Sequence, residues 1–441
     1  MPERLVVVGG NAGAMGAASQ AKRLRPELEV VAFERGSRTS YAACGIPFFV
    51  GHEIDSLDRL VARSPEEHRE RGIDARLRHE VIGIDLVARR IVARDLDAGR
   101  EVEVGFDELV IGTGARALRP PLPGIDLPFV RGVATLDDAA ALLREAERVR
   151  CDRLVVVGGG YIGLEMVEAF KRWGAEATVL DSAPQVMRTL DADVAQLVAD
   201  AMKKLSIEVR LDVEVTGFEP GQVLTAEGSV GADLVVLGLG VTPNSELARD
   251  AGIELGARNA VKVDDHQRTS AAGVWSAGDC CDSFHRVTKQ RVHIALGTVA
   301  NRQARVAGIN IGGGDASFPG VIGTAVTRVC GTEIGRTGLN EVEANEAGID
   351  SRSACIESTT RASYYPGAAP ITVKMLVEDS TGRVIGGQIV GGAGSAKRID
   401  TIAAAIWNEM TAEEVVNLDL SYAPPFSPVW DPVQTAARKL V

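Results

Sequence analysis

The chain has 441 residues, enough for two to four domains of ordinary size. It is 45% hydrophobic and 24% charged, as globular proteins are, and its formal net charge of −12 argues against a broad nucleic-acid-binding surface. No apolar run approaches the roughly 18 residues that span a membrane. The six cysteines form no CxxC pair and no metal-ligand spacing. We therefore expect a cytoplasmic protein without a disulfide framework or a metal site.

The chain opens on a β-strand, a glycine turn, an α-helix and a second strand, a unit that binds a dinucleotide at its glycine turn. The turn departs from the GxGxxG pattern, because Asn11 and Ala14 stand where its second and third glycines would be, and alone it also fits a purely structural turn. Glu34 favours nucleotide binding, because its carboxylate is well placed for an adenosine ribose. The predicted elements are the strands Arg4–Val8 and Glu29–Phe33 and the helix Ala12–Leu24, joined by the turn Gly9-Gly10-Asn11-Ala12-Gly13-Ala14.

A single cysteine, Cys44, follows this unit and precedes a short helix predicted over Gly45–Val50. A helix N-terminus and a nearby oxidised flavin would both lower the pKa of Cys44 below the usual value of about 8.5. Its thiolate would then be the nucleophile for disulfide exchange. A buried, inert cysteine is the alternative interpretation.

The strand–turn–helix pattern returns about 150 residues later with a complete GxGxxG motif. Gly158 permits the tight turn, Gly160 lets the backbone approach a pyrophosphate, and Gly163 lets the helix pack on the strand. Asp181 ends the next strand; its carboxylate can accept a hydrogen bond from a ribose 2′-hydroxyl and would repel a 2′-phosphate, so NADH is favoured over NADPH. The predicted elements are the strands Leu154–Val157 and Ala177–Leu180 and the helix Ile162–Trp173.

Two further turns suggest that the first unit binds a flavin dinucleotide. Asp279 follows the strand-like Gly273–Ser276, and in flavoproteins with two dinucleotide domains such an aspartate receives a ribityl hydroxyl of FAD. The turn at Thr113-Gly114 fits the chain crossing between an FAD domain and an NAD domain. Each signal is weak alone, but their order along the chain strengthens both.

From about Val321 the pattern changes to alternating strands (Thr372–Val377 and Val384–Val390) followed by a helix (Lys397–Asn408), which predicts an antiparallel sheet with helices on it. We therefore predict an α/β protein with two Rossmann-like dinucleotide-binding domains, one for FAD and one for NAD(P)H, and a C-terminal α+β dimerisation domain. The predicted boundaries are 1–117 with 243–320 for the FAD-binding domain, 118–242 for the NAD(P)H-binding domain and 321–441 for the dimerisation domain.

The order of these motifs resembles the FAD- and NAD(P)H-dependent pyridine nucleotide–disulfide oxidoreductases over essentially the whole chain. Members similar to glutathione reductase carry two cysteines separated by four residues, but here the second position is Phe49. The sequence therefore resembles the single-cysteine branch: coenzyme A-disulfide reductases, NADH oxidases and NADH peroxidases. Peroxidases and the oxidases close to them have a histidine in the first glycine turn. Ala12 stands at that position, as in coenzyme A-disulfide reductases.

The resemblance also implies roles for two tyrosines in the C-terminal domain. In coenzyme A-disulfide reductases two tyrosines reach across a homodimer interface to the cysteine of the other subunit. The matching residues are Tyr364, with Tyr365 as the second choice, and Tyr422. An aromatic packing role is the alternative for each. Tyr161 and Glu165 match residues that flank the nicotinamide site in the family.

A substrate site follows from the same resemblance. Two positions depart from the family pattern, because Ala43 stands where some members have an asparagine and Trp430 where some have a lysine that meets the coenzyme A phosphates. These departures fit a persulfide, a polysulfide or another small disulfide as well as coenzyme A disulfide. The residues assigned to substrate binding are Gln20, Arg23, Ser40, Ala43, Asn301 and Arg302.

The resemblance implies an FAD-dependent NAD(P)H:disulfide oxidoreductase whose catalytic residues are Cys44, Tyr364 and Tyr422. One alternative is an NADH oxidase that reduces O₂ through a sulfenic acid on Cys44. An alternative of another class is a flavin-bound redox-sensing or electron-transfer partner protein. The residues assigned to the two dinucleotides are Gly9, Gly10, Ala12, Gly13, Ala14, Glu34, Arg35, Thr113, Gly114, Gly278 and Asp279 for FAD, and Gly158, Gly160, Tyr161, Ile162, Gly163, Glu165 and Asp181 for NAD(P)H.

Overall fold

The computed structural model describes residues 3–441, and its first quarter alternates strands and short helices. The first two strands and the first helix begin and end at the residues predicted from the sequence. The elements are β1 (Arg4–Val8), α1 (Ala12–Leu24), β2 (Glu29–Phe33), α2 (Ile46–Val50), α3 (Pro65–Glu70), β3 (Ile73–Arg76), β4 (His79–Asp85), β5 (Arg90–Asp95), β6 (Glu101–Gly105), β7 (Glu108–Ile111) and β8 (Ala115–Ala117).

The second stretch of chain repeats the pattern, and its glycine turn lies between a strand and a helix as predicted. Its elements are β9 (Val130–Gly132), α4 (Leu136–Val149), β10 (Arg153–Val157), α5 (Tyr161–Arg172), β11 (Glu176–Leu180), α6 (Ala192–Lys204), β12 (Glu208–Arg210), β13 (Val215–Glu219), β14 (Gln222–Thr225), β15 (Gly228–Gly231), β16 (Leu234–Leu237) and β17 (Val241–Pro243).

The remaining chain first returns to the first sheet and then forms a sheet of its own. Its elements are α7 (Glu246–Asp250), β18 (Val274–Ser276), β19 (Ser283–Phe284), β20 (Arg291–Val292), α8 (Gly297–Ile311), β21 (Ala325–Val329), β22 (Thr332–Gly338), α9 (Glu341–Glu346), β23 (Ser351–Thr359), β24 (Pro370–Glu378), β25 (Val384–Gly391), α10 (Ile399–Trp407), α11 (Ala412–Val416) and α12 (Pro432–Ala437).

Two parallel five-stranded sheets form the first two domains. The first has the order β18-β7-β1-β2-β3 and the second the order β12-β11-β10-β16-β9. Parallel sheets are covered by helices on both faces, which is why their central strands are continuous runs such as Leu5–Val8 and Leu154–Val157 that are buried. Strand β18 joins β7 although the whole second sheet lies between them in sequence. The domain boundaries predicted above stay a prediction.

The C-terminal sheet is antiparallel, with the order β21-β22-β25-β24-β23, and α10 and α12 pack on it. Its core includes Ile371, Val373 and Met375 of β24, which alternate with more exposed or polar side chains as a sheet covered by helices on one face requires. The predicted helix Lys397–Asn408 is divided, since a 3-10 turn precedes α10. The predicted fold class, two dinucleotide-binding domains and an α+β domain, is confirmed.

A buried ion cluster joins the C-terminal sheet to the second domain. The Lys374 ammonium of β24 lies 3.1 Å from Asp191, 2.9 Å from Asp193 and 3.1 Å from Glu341, and the side chains of Lys374 and Asp191 are only 5% and 3% exposed. Gln388 of β25 donates a hydrogen bond of 2.6 Å to Asp191 and accepts one of 2.7 Å from its backbone N–H. Burial alone would lower the pKa of Lys374, but the three carboxylates raise it, so the lysine stays charged.

Replacing Lys374 by methionine should destabilise the protein strongly, because it leaves the Asp191 carboxylate buried without its cation. We expect the free energy of unfolding, from urea titration, to fall by about 3–5 kcal/mol. Lys397→Met is the matched control, since Lys397 is 82% exposed and pairs with Asp400 at the surface; its effect should stay within about 0.5 kcal/mol. Equal unfolding midpoints for the two variants would contradict a stabilising role for the cluster.

Candidate active site

A large cavity of about 2980 Å³ lies where all three domains meet. The loops that follow the carboxyl ends of β1, β2, β7 and β18 line one part of it, and those that follow β10, β11 and β16 line another. The carboxyl ends of parallel strands are where doubly wound sheets bind their ligands. Residues after β20 and on β21 complete the wall. The cavity therefore faces two dinucleotide-type turns at once.

The first turn has the features that a flavin dinucleotide requires. Gly9 has φ +114°, a conformation that favours glycine, and a Cβ there would lie 2.2 Å from the carbonyl oxygen of Gly112. The Glu34 carboxylate, at the end of β2, accepts a hydrogen bond of 2.6 Å from the N–H of Gly36 and lines the cavity. Burial raises the pKa of Glu34, so this carboxyl group suits a hydroxyl partner rather than a second anion.

Asp279 supplies the most direct sign of a polar ligand beside the first turn. Its Oδ1 atom is buried and has no hydrogen-bond partner within residues 3–441. Burial raises the pKa of its carboxyl group, which His293 lowers in part. A buried acceptor without a partner is costly, and a ligand hydroxyl would remove that cost. The ribityl hydroxyl expected from the sequence fits this position.

The second turn fits a nicotinamide dinucleotide in the same way. Gly158 has φ +104°, and a Cβ on Gly160 would meet only the carbonyl oxygen of Gly238, at 3.8 Å, so the backbone there is open to a phosphate. The Asp181 carboxylate accepts hydrogen bonds of 2.7 Å from Gly159 and 2.9 Å from Ala183, which hold it at the edge of the cavity. Both predicted glycine turns thus have the geometry of dinucleotide sites.

Tyr161 begins α5 and lines the cavity between the two turns. Its hydroxyl group is buried without a hydrogen-bond partner in the described part of the chain, and burial raises its pKa. One turn further along α5, Glu165 also lines the cavity and accepts a hydrogen bond of 2.6 Å from the Thr327 hydroxyl of β21. Sequence reasoning did not find Thr327, because only the packing of β21 on α5 brings a C-terminal residue to this wall.

Cys44 lies in a 3-10 turn over Ala43–Gly45, just before α2. Its thiol is exposed to the cavity, and no other cysteine among residues 3–441 lines that cavity. All six cysteines are free, and Phe49, at the position of a second redox cysteine, packs against the core. A disulfide at Cys44 would therefore need its second sulfur from a molecule that enters the cavity.

The groups of the protein itself raise the pKa of the Cys44 thiol. The sequence led us to expect a lowered pKa, and for the protein groups, considered without a flavin, that expectation is wrong. Although the thiol is accessible from the cavity, desolvation by the surrounding atoms is the main cause, and the carboxylates of Glu165 and Asp279 add to it. The helix that was expected to favour the thiolate has only five residues and begins two residues after Cys44. Its dipole is too short to offset burial and two acidic neighbours.

The two tyrosines lie outside the lining of the cavity. Tyr364 and Tyr422 are 75% and 46% exposed and interact with each other, and this interaction raises the pKa of Tyr422. Tyr365 is less exposed. Phe426 and Trp430 continue the exposed aromatic surface beside them, and Arg438 stacks on Trp430 at 4.5 Å. Exposed aromatic side chains close together in sequence suggest a protein–protein contact.

The residues assigned to the substrate fall into two groups. Asn301 and Arg302, at the start of α8, line the cavity, and so does Ala43. Gln20 and Arg23 lie on α1 outside the cavity lining, where the Arg23 guanidinium donates a hydrogen bond to the Gln20 side chain. Ser40 is also outside the lining, and its hydroxyl pairs at 2.9 Å with the ring of His68, which is buried.

The assigned dinucleotide residues meet at the cavity with two exceptions. Ala14 and Gly163 do not line it; they lie on α1 and α5, where their small size lets each helix approach its sheet. The assigned residues that line the cavity are Gly9, Gly10, Ala12, Gly13, Glu34, Arg35, Thr113, Gly114, Gly158, Gly160, Tyr161, Ile162, Glu165, Asp181, Gly278 and Asp279.

Within residues 3–441, no helix is both long and apolar enough to cross a membrane.

The fold and the cavity define an oxidoreductase that uses a flavin and a pyridine nucleotide. A family model described as pyridine nucleotide-disulphide oxidoreductase matches residues 3–304, and the dimerisation domain of the same family matches residues 324–432. The chain belongs to this family. Membership implies FAD and NAD(P)H, in agreement with both glycine turns.

Three similar proteins cover the whole chain. The NAD(P)H coenzyme A polysulfide/persulfide reductase of Pyrococcus horikoshii is 39% identical over 449 residues, which cover 100% of this chain and 99% of the relative. An NADH oxidase of Methanocaldococcus jannaschii is 36% identical over 441 residues, which cover 99% of this chain and 98% of the relative. The solved structure of reduced CoADR-RHD from Bacillus anthracis is 31% identical, with a TM-score of 0.97, and this chain covers 80% of it.

Removing the Glu165 carboxylate should lower the pKa of Cys44, because a nearby negative charge disfavours the thiolate. In Glu165→Gln the pH profile of Cys44 alkylation by iodoacetamide should therefore shift to lower pH. Asp250→Asn serves as the control, since Asp250 lines the cavity but does not act on Cys44. An unchanged profile in Glu165→Gln would show that the two side chains do not interact.

Proposed function

We propose that this chain is an FAD-dependent NAD(P)H oxidoreductase that reduces coenzyme A disulfide or a related small disulfide or persulfide, with Cys44 as its one redox cysteine. The observation that carries the proposal is that Cys44 is the cysteine that lines the cavity shared by both dinucleotide turns. Its second sulfur then comes from the substrate, since Phe49 occupies the position of a partner cysteine.

The sulfur chemistry balances around Cys44. Its thiolate attacks one sulfur of the substrate RSSR, forming the mixed disulfide Cys44–S–S–R and releasing RS⁻. FAD and NAD(P)H, when bound, would supply two electrons, which together with one proton would convert the mixed disulfide to the Cys44 thiolate and RSH. Glu165 and Tyr161 line the wall at which the nicotinamide would enter, and Asp279 would accept a hydrogen bond from the ribityl chain of FAD.

The tyrosines act across a homodimer in this proposal. Tyr364 and Tyr422 are exposed and lie outside the cavity that Cys44 lines, which supports a role at the site of the other subunit. Their hydroxyl groups would donate hydrogen bonds or a proton to the leaving thiolate. The matched dimerisation domain supports the two-subunit assembly.

The substrate class rests on the relatives and on the cavity wall. The Pyrococcus relative is a coenzyme A polysulfide/persulfide reductase, and Ala43 and Trp430 widen the choice to substrates other than coenzyme A disulfide. Asn301 and Arg302 line the cavity and would contact the substrate. Gln20, Arg23 and Ser40 would contact its outer part. A cytoplasmic location fits a thiol-based reaction of this kind.

NADH is proposed as the better reductant. The Asp181 carboxylate lies at the end of β11, where it would accept a hydrogen bond from a ribose 2′-hydroxyl and repel a 2′-phosphate. The ratio of kcat/KM for NADH to that for NADPH measures this preference. A ratio below one would contradict it.

Replacing the redox cysteine should separate the two halves of the reaction. In Cys44→Ser we expect FAD binding and flavin reduction by NADH to persist, while NADH-dependent reduction of coenzyme A disulfide falls by about 10³-fold or more, since the nucleophile is lost. Cys355→Ser is the matched control, because Cys355 is exposed on β23 and lies outside the cavity. Full disulfide reductase activity in Cys44→Ser would refute the role of Cys44.

An NADH oxidase is the second candidate function, because the Methanocaldococcus relative is an NADH oxidase. In that reaction Cys44 would cycle through a sulfenic acid with O₂ as the oxidant. Ala12, which lines the cavity at the position of the histidine found in oxidases close to the peroxidases, favours the disulfide reaction. Oxygen uptake compared with thiol release, at equal NADH consumption, distinguishes the two.

A further inference from the structure

The helix that follows Cys44 is attached at its far end to the helix that carries Tyr161 and Glu165. The Trp173 indole N–H, just after α5, donates a hydrogen bond of 2.7 Å to the carbonyl oxygen of Val50 at the end of α2. The ring of His52 stacks on the same tryptophan, with centroids 5.0 Å apart and planes 13° from parallel. Residues of α2 and α5 also share one buried core, so the C-terminal ends of the two helices are held together.

Arg328 of β21 joins this unit from the C-terminal domain. Its Nη2 atom donates hydrogen bonds of 2.6 and 2.9 Å to the two carboxylate oxygens of Glu53, three residues after α2. Its guanidinium group also lies 5.7 Å from the ring centre of Phe48, a cavity-lining residue of α2. Arg328 therefore contacts α2 and the segment that follows it.

Another positively charged and another negatively charged side chain, Arg172 and Glu168, extend this ion-pair network to α5. Arg172 lies 3.2 Å from Glu53 and 3.1 Å from Glu168, and the Arg328 Nε atom lies 3.7 Å from Glu168, too far for a hydrogen bond but close enough for charge attraction. Glu168 also accepts a hydrogen bond of 2.8 Å from the N–H of Cys330, just after β21. These four side chains form a chain of alternating positive and negative charges, in the order Arg328, Glu53, Arg172 and Glu168, that connects the three domains.

The same strand also contacts Glu165, another residue that lines the cavity. Thr327, the neighbour of Arg328 in sequence, donates the 2.6 Å hydrogen bond to Glu165. Thr327 of β21 therefore contacts Glu165, and its neighbour Arg328 contacts α2 and the segment after it. A side chain that fixes the distance between two reacting parts can change the rate strongly without touching the substrate.

We propose that Arg328 is a positioning residue that acts through Glu53 and Phe48 to hold α2, and with it the Cys44 thiol, beside Glu165 and Asp279. This inference rests on the proposed function for its effect on disulfide reduction. Partly exposed ion pairs contribute little to stability, and Arg328 and Glu53 are 37% and 31% exposed, so the role of the pair is to fix geometry. Loss of Arg328 loosens α2 and shifts the Cys44 thiol from its position.

The test uses the FAD-loaded full chain with Arg328→Gln. Flavin reduction by NADH should stay within about twofold of wild type, whereas reoxidation of the reduced protein by coenzyme A disulfide should slow by about 10- to 100-fold, because the thiol is displaced from the reacting position. Alkylation of Cys44 by iodoacetamide at neutral pH should become faster, since the thiol gains water and moves away from two carboxylates.

Three further variants sharpen the test. Arg328→Lys should recover most of the reoxidation rate, because the ammonium group can still pair with Glu53. Glu53→Gln should reproduce the Arg328→Gln effects, and the double variant should add little, since both substitutions break the Arg328–Glu53 pair. Arg94→Gln removes a comparable surface pair with Glu101 away from the cavity and should change nothing.

If Arg328→Gln is reoxidised and alkylated at wild-type rates, the proposal is overturned. It is also overturned if flavin reduction and reoxidation slow equally, because an equal loss indicates general damage to the protein. If Arg328→Gln does not fold, Glu53→Gln carries the same readings. If the wild-type protein itself is not reoxidised by coenzyme A disulfide, the proposed function fails instead. The alkylation rates of Cys44 then decide the role of Arg328 alone, with faster alkylation supporting it and an unchanged rate refuting it.

Discussion

The two chain crossings between the parallel sheets are the constraint on which the site depends. Strands β8 and β17 pair antiparallel, and the turn before β8 is tied to the residue after β17. The Thr113 hydroxyl donates a hydrogen bond of 2.5 Å to the carbonyl oxygen of Asn244, whose side chain donates one of 2.9 Å to the carbonyl oxygen of Thr113. The carboxyl ends of both sheets consequently open onto one cavity, as electron transfer between two dinucleotides requires.

Within that cavity the protein contributes more to the position of the Cys44 thiol than to a positive charge that would stabilise its thiolate. Cys44 is partly desolvated and interacts with two acidic groups, and its protein surroundings therefore raise the pKa of the thiol. The C-terminal domain contributes to the same site twice, through Thr327 and through Arg328, and it is fixed to the second domain by the buried Lys374 cluster. Assembly of the third domain and geometry at Cys44 are therefore linked.

Local sequence signals were sufficient for the fold and for both dinucleotide turns. β1, α1 and β2 match their predicted bounds because hydrophobic runs, glycines and a terminal acid coincide there. The electrostatics of Cys44 could not be predicted in this way, since Glu165 and Asp279 come from distant parts of the sequence and approach it only in the folded chain. Thr327, Glu53 and Arg328 carry no sequence motif, because their roles arise from distant contacts. The placement of Gln20, Arg23 and Ser40 outside the cavity lining likewise depends on contacts between distant parts of the chain, which the sequence pattern does not show.

The central claim is that Cys44 takes its second sulfur from a small molecule and not from the chain. It is tested most directly by treating the FAD-loaded protein with coenzyme A disulfide, measuring its intact mass and mapping the modified peptide before and after NADH is added. The account predicts a single coenzyme A adduct per chain, on Cys44, that NADH removes. A disulfide between Cys44 and another cysteine of the chain, or an adduct on Cys355 with Cys44 free, would contradict it.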